Sequence, residues 1–152
     1  MKKALTIISL ACLSGFSFAQ STRLQLFEEV TGQNCGPCAT VNPGLNALLN
    51  ANTSKIVSIK YQSTHGSSGP ITLYTDNSAD VNTRSSYYAN SAAPWGYHDG
   101  NVYSGNASGL SQAKIDAEDL VASPFTIRLS HYLSSGKDSV YATAVIKKTQ
   151  AV

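Results

Sequence analysis

Residues 27–44 read FEEVTGQNCGPCATVNPG, and the order of events along this stretch decides the fold. Leu24 and Leu26 alternate with Arg23, Gln25 and Phe27, which predicts a strand running to Val30. Thr31-Gly32-Gln33-Asn34 breaks that strand, and a helix is expected from Cys35 onward. Val41, Leu45, Leu48 and Leu49 recur at helical spacing, with Pro43 and Gly44 between them. A proline there removes one hydrogen bond and predicts a kink. Cys35 and Cys38 fall on the first helical turn. That spacing can close a local disulfide, with the first sulfur exposed and the second tucked under it. A helix N-terminus favours negative charge, which favours a thiolate at Cys35. Pro37 suits the same turn because its missing N–H would be unpaired there anyway. A C-x-x-C pair is also compatible with half a zinc site, or with a bridge that merely fixes the helix start.

Outward from this stretch, Asn50-Ala51-Asn52-Thr53 ends the helix. Ile56, Val57, Ile59 and Tyr61 predict a second strand, nearly all apolar and therefore central in its sheet. Residues 62–78 are polar and Gly-rich, a long surface loop of the kind that often binds something. A helix follows over 79–90, with Val81, Arg84, Tyr87 and Tyr88 close together and the two tyrosines packing. His98-Asp99-Gly100-Asn101 is a hairpin turn between strands at 95–98 and 101–104. Leu110 to Ala122 predicts another helix, with Ala113, Ala117, Leu120 and Val121 inward. A strand–helix–strand start requires a right-handed parallel crossover. The hairpin then adds antiparallel strands. The expected fold class is α/β, a mixed central sheet with helices on both faces, spanning residues 20–123. Beyond it, residues 125–133 and 140–146 alternate apolar and polar around the turn Ser134-Ser135-Gly136-Lys137-Asp138. Two strands alone are marginal in water. Residues 124–152 are therefore expected to begin a β-sandwich module, the alternative being that the hairpin packs on the first domain.

Composition sets the function classes. The 152 residues hold 11 Lys+Arg and 9 Asp+Glu, and charged residues are only 13%. Lys2 and Lys3 belong to a predicted leader, and without them the charges balance. No basic stripe is present, which argues against nucleic acid or anionic lipid as the main partner. Residues 1–19, MKKALTIISLACLSGFSFA, combine two lysines, an apolar stretch and the small-x-small end Ser17-Phe18-Ala19. That is the pattern of a secretory signal peptide cleaved before Gln20. Ser9 before Leu10, Ala11 and Cys12 fits a lipoprotein signal poorly. Export delivers the chain to an oxidising compartment, with Cys35 and Cys38 its two remaining cysteines. The mature chain contains no apolar run long enough for a transmembrane helix. His65, His98 and His131 read as ordinary loop and strand residues, and neither a metal nor a cofactor is expected.

At Cys35-Gly36-Pro37-Cys38 the sequence resembles the thioredoxin superfamily, and the resemblance extends over residues 22–122. Pro43, five residues after Cys38, stands where the family has its helix-kinking proline. Glu29, six residues before Cys35, matches the family's buried acid, with Glu replacing Asp. Tyr88 stands six residues before Pro94, as an aromatic does before the family's cis-proline. Phe27-Glu28-Glu29-Val30-Thr31-Gly32 and Asp99-Gly100 look closer still to exported, outer-membrane-associated thioredoxin-like proteins of bacterial envelopes, often joined to β-sandwich modules. The implied localisation is the periplasm, the outer membrane or the secreted fraction.

The resemblance implies thiol–disulfide exchange with protein thiols and disulfides of the envelope. Cys35 would be the attacking sulfur and Cys38 the resolving one. Glu29, buried beneath the pair, would take the Cys38 proton through a water. Gly36, Pro37, Ala93, Pro94 and Trp95 would form the substrate-facing surface, with a cis Pro94 holding the Ala93 backbone open to a substrate strand. An exported reductase of this kind would draw electrons from a membrane donor. Three positions depart from the family: Asn34 replaces the aromatic before the first cysteine, Trp95 stands where a threonine is typical, and Asn90 where an aliphatic is preferred. The competing expectation is a redox-inactive binding or adhesion module on the same scaffold, its disulfide structural, with the loop 62–78 and the hairpin 125–147 engaging a partner.

Overall fold

The computed structural model describes residues 21–149, so the predicted leader lies outside the described residues. Two units are distinguished, Arg23–Val121 and a second holding Ser21, Thr22 and the residues from Ala122 onward. The first is mixed α/β. Its elements are β1 (Gln25–Thr31), α1 (Gly36–Ala51), β2 (Ile56–Gln62), α2 (Thr72–Thr75), α3 (Ser78–Tyr87), β3 (Trp95–His98), β4 (Tyr103–Asn106), a 3-10 turn (Ala107–Gly109) and α4 (Gln112–Asp119). The four strands form one sheet in the order β2-β1-β3-β4. β1 and β2 are parallel, from Gln25 opposite Ile56 to Thr31 opposite Gln62. β3 runs antiparallel to both β1 and β4.

The inner strands are β1 and β3, and that corrects the sequence reading, which placed β2 at the centre. β2 is an edge strand, and its Val57 and Ile59 are nearly half exposed. Their apolar character fits one covered face and not a strand flanked on both sides. β1 in turn buries both faces: Gln25, Phe27, Glu28, Glu29 and Val30 are all inaccessible or nearly so. Phe27 packs with Leu45 and Leu49 of α1, Ile56, Ala107, Leu110 and Ile115 of α4. The opposite face carries Glu28, which α3 reaches through Arg84.

α1 runs through Pro43 from Gly36 to Ala51, with Pro37 in its first turn. Its C-terminus is closed by Asn52, whose Nδ2 donates to Leu48 O at 2.9 Å and exchanges two further hydrogen bonds with the Gln112 side chain. α2, a single turn inside the expected loop, has no apolar periodicity to announce it. α4 is shorter than expected, and its inward residue is Ile115. Leu120 and Val121, predicted inward, are exposed because the helix ends at Asp119 and, at 100° per residue, position 120 lies far around from 115. Of the two tyrosines expected to pack, Tyr87 is 73% exposed, whereas Tyr88 does pack, stacked on Tyr97 with ring centroids 3.8 Å apart. The turn after β3 uses left-handed Asp99 and Gly100, so β4 begins at Tyr103 and not at 101.

In the second unit, β5 (Phe125–Leu133) and β6 (Val140–Lys148) pair antiparallel from Phe125 opposite Lys148 to Leu133 opposite Val140. Opposed residues share a face, so Phe125, Ile127, Leu129, Leu133, Val140 and Ile146 line one side, and Tyr132 stacks on Tyr141 on the other.

Candidate functional site

Cys35 and Cys38 are joined as a disulfide, S–S 2.07 Å. Cys35 is the N-cap of α1, and its Sγ accepts the Cys38 backbone N–H at 3.2 Å. The sulfur thus lies where unpaired helix N–H groups and the helix dipole favour negative charge. Gly36 and Pro37, between the cysteines, are exposed.

The peptide bond between Ala93 and Pro94 is cis, and Pro94 is buried. A methyl group built on Gly66 would stand 2.9 Å from Cys35 Sγ and 3.4 Å from Ala93 O. The sulfur and the Ala93 carbonyl are therefore both neighbours of the same glycine. Trp95 is half-buried, donates from Nε1 to Ser104 Oγ at 3.2 Å, and lines a cavity of about 140 Å³ with Tyr88, Asn90 and Tyr97.

One expectation about the disulfide fails. Cys35 was to be the exposed sulfur and Cys38 the covered one, yet the two residues are 4% and 2% exposed. The cause is the segment 63–70, a strap laid over Cys35. Ser63 ties its start to Thr31, through N to O at 2.7 Å and Oγ to O at 3.1 Å. Ser67 forms an antiparallel bridge with Cys35, and Ser68 N donates to Asn34 O at 3.2 Å. Asn34 Nδ2 donates to Pro70 O at 2.6 Å, and Gln33 Oε1 accepts from Thr72 Oγ1 and Leu73 N. Gly66 has φ +70°, a conformation that glycine adopts without cost, and it brings the chain against the sulfur.

Glu29 is wholly buried, as the resemblance implies. It lies on the β1 face that α1 covers, between Phe27, which packs on Leu45, and Thr31, whose Oγ1 accepts from Asn42 Nδ2. Its carboxylate is ion-paired with Lys60 Nζ, opposite it on β2. Lys60 was not among the expected site residues, although a cation facing a buried acid is what burial of that charge requires. The Lys60 side chain is 26% exposed and links the acid towards solvent.

A second buried acid, Glu28, lies on the other sheet face and stands apart from any expected role. Burial opposes its ionisation, but hydrogen bonds from Arg84, Tyr88 and Tyr61 outweigh this and hold its carboxyl below the ordinary 4.5. The Tyr88 phenol is pushed up, first by burial and then by that carboxylate. Among the described residues, no group of three His, Cys, Asp or Glu is placed to hold a metal ion, and no helix is long and apolar enough to cross a membrane. No family model matches this sequence, and no curated protein and no solved structure matches it either.

Proposed function

We propose that the chain is an exported thiol–disulfide oxidoreductase with a thioredoxin-like fold, exchanging disulfides with proteins of the cell envelope through Cys35 and Cys38. The observation that carries this reading is the placement of Cys35 Sγ at the α1 N-cap, accepting the Cys38 N–H, beside the same glycine as the carbonyl that precedes cis Pro94. The parallel β1–β2 crossover followed by the antiparallel β3–β4 pair supports the fold assignment. The predicted leader supports export, and the resemblance of residues 27–32 and Asp99-Gly100 to the outer-membrane-associated branch supports an envelope location.

In the reducing direction, the Cys35 thiolate attacks a substrate disulfide, forming a Cys35–substrate bond and releasing one substrate thiolate. The Cys38 thiol loses its proton, through a water to the buried Glu29–Lys60 pair, and its sulfur attacks Cys35 Sγ. The second substrate thiolate leaves, and the pair ends as the disulfide. Regeneration takes two electrons from a dithiol donor, assigned here to a membrane protein. In the oxidising direction the same bonds form and break in reverse. The test is reduction of insulin with dithiothreitol as electron donor. Cys35→Ser should abolish turnover, and Cys38→Ser should accumulate a mixed disulfide. Wild type and both variants behaving alike would remove the proposal.

The burial of Cys35 favours a second reading, a binding or adhesion module whose bridge is structural. A reduction potential below about −300 mV for the pair, with no insulin turnover, would establish it.

A further inference from the structure

We propose that residues 63–70 are a selectivity strap seated in the groove between Cys35 and Ala93, admitting small disulfides and thiols to Cys35 while holding back protein disulfides until it swings away. This inference rests on the exchange reading above.

Three observations carry it. Ser67 already bridges Cys35 in antiparallel fashion, and Gly66 lies against both Cys35 Sγ and Ala93 O. A substrate backbone approaching that carbonyl meets the protein's own chain first. The covering is close: with the strap in place Cys35 is 4% exposed, too little for a folded protein's disulfide to be presented to it.

The strap is also lightly held. Apart from Pro70 it has no apolar side chain larger than a methyl group, and its far anchors are the solvent-exposed hydrogen bonds of Asn34 to Pro70 and of Gln33 to Thr72 and Leu73. Segments with few apolar contacts and exposed hydrogen bonds open locally at a fraction of the cost of global unfolding. Gln33 and Asn34, immediately before the first cysteine, thus become the residues that set access. Gly32 completes the seat, because a side chain there would meet Ser67 Oγ and come within 3.0 Å of His65 O.

The experiment uses the full chain with Cys12→Ser and Cys38→Ser, so that Cys35 is the single free thiol. Its second-order rates with oxidised glutathione and with insulin are compared, alone and with Gln33→Ala or Asn34→Gly added. In each reaction the Cys35 thiolate displaces one thiolate and forms one mixed disulfide. Asn34→Gly should raise the insulin rate about fivefold, the population shift that one neutral hydrogen bond supports. Gln33→Ala, which removes two, should raise it at least as much, and each should change the glutathione rate by less than about twofold. Asn34→Gly keeps the φ of +58° without strain, and Gln33→Ala releases the chain just beyond the strap, at Thr72 and Leu73, so a folding defect in one leaves the other decisive. An insulin-to-glutathione rate ratio unchanged by both variants overturns the strap, while rapid insulin reaction in the parent keeps the exchange reading. If Cys35 reacts with neither disulfide in the native chain yet reacts when unfolded, the exchange reading itself falls.

Discussion

The Arg84 guanidinium holds the Glu28 carboxylate at two points, Nε to Oε1 at 2.6 Å and Nη2 to Oε2 at 2.7 Å. Tyr88 donates to Oε2 at 2.5 Å and Tyr61 to Oε1 at 2.9 Å, so both oxygens carry two partners. Glu28 stands at the middle of the sheet, opposite Ile59 on β2 and Tyr97 on β3. α3 buries only one residue of its own, Val81. A helix with so little apolar surface cannot be held by burial alone, and the bidentate ion pair fastens it to β1.

Arg84→Ala should therefore loosen α3 and destabilise the protein by about 2 kcal/mol. That is less than a wholly buried pair would lose, since the Arg84 side chain is a third exposed. Because the native Glu28 carboxyl titrates below 4.5, its contribution is present above that pH and is lost as pH falls through the lower native value. Urea midpoints measured from pH 7 to pH 3 should show this acid loss in wild type and a flatter profile in the variant. Equal midpoints at neutral pH would mean that the pair does not hold the helix.

His98 makes a second pH-dependent contribution. It is inaccessible, and its Nε2 lies 2.9 Å from Gln25 Oε1. Gln25 spends its own Nε2–H on Ile115 O, so its Oε1 accepts and His98 carries the proton on Nε2. Nδ1 is then a buried nitrogen with no hydrogen-bond partner among the described residues, and protonating it would create an unpaired donor. Burial accordingly pushes the imidazole below 6.5, against the pull of Asp99 and Glu118. A lowered native value means the unfolded chain binds the proton first, so this stability is present above pH 6.5 and lost as pH falls towards the native value. His98→Gln should lower stability at pH 7 and abolish the fall between neutral pH and pH 5, as read by thermal midpoints.

The elements with strong apolar periodicity were legible in the sequence. Val41, Leu45, Leu48 and Leu49 marked α1, and the alternation from Phe125 marked the hairpin. The covalent site was legible too, because Cys35 and Cys38 are neighbours in sequence. What escaped was long-range and polar. Gln25 and Glu28 look like surface residues until His98 and Arg84, each more than fifty positions away, arrive to pair them. β2 looked central because local hydrophobicity does not record which neighbours a strand has. The segment Ser63-Thr64-His65-Gly66-Ser67-Ser68-Gly69 has the composition of a free loop, and its seat on Cys35 is held mostly by backbone groups that composition does not encode.

In the second unit, a stacked pair spans the hairpin near its turn, Tyr132 and Tyr141, with ring centroids 4.8 Å apart and planes within 15°. The two residues are directly opposed across the strands. Such a cross-strand pair contributes about 0.5–1 kcal/mol, a large share of what a two-stranded ribbon has. Tyr132→Ala should speed amide exchange along β5 and β6 about threefold, whereas Tyr132→Phe should leave it unchanged, since stacking and not the hydroxyl carries the effect. Equal acceleration by both substitutions would reject the stack as the source.

A tight steric constraint in the core joins Gly96 to Phe27. A methyl group at Gly96 would overlap the Phe27 ring, with Cε2 only 2.8 Å away. Phe27 is itself inaccessible and packs among Leu45, Leu49, Ile56 and Ile115, so the ring has nowhere to move. Gly96→Ala should cost about 1–3 kcal/mol through overpacking. Phe27→Leu alone should also destabilise, by removing ring atoms from a filled core. Together they should cost less than the sum, because the shorter side chain vacates the space the new methyl needs. A double-mutant cycle by chemical denaturation should return a coupling of about 1 kcal/mol or more. Strict additivity would mean that something other than the Phe27 ring makes glycine necessary at position 96.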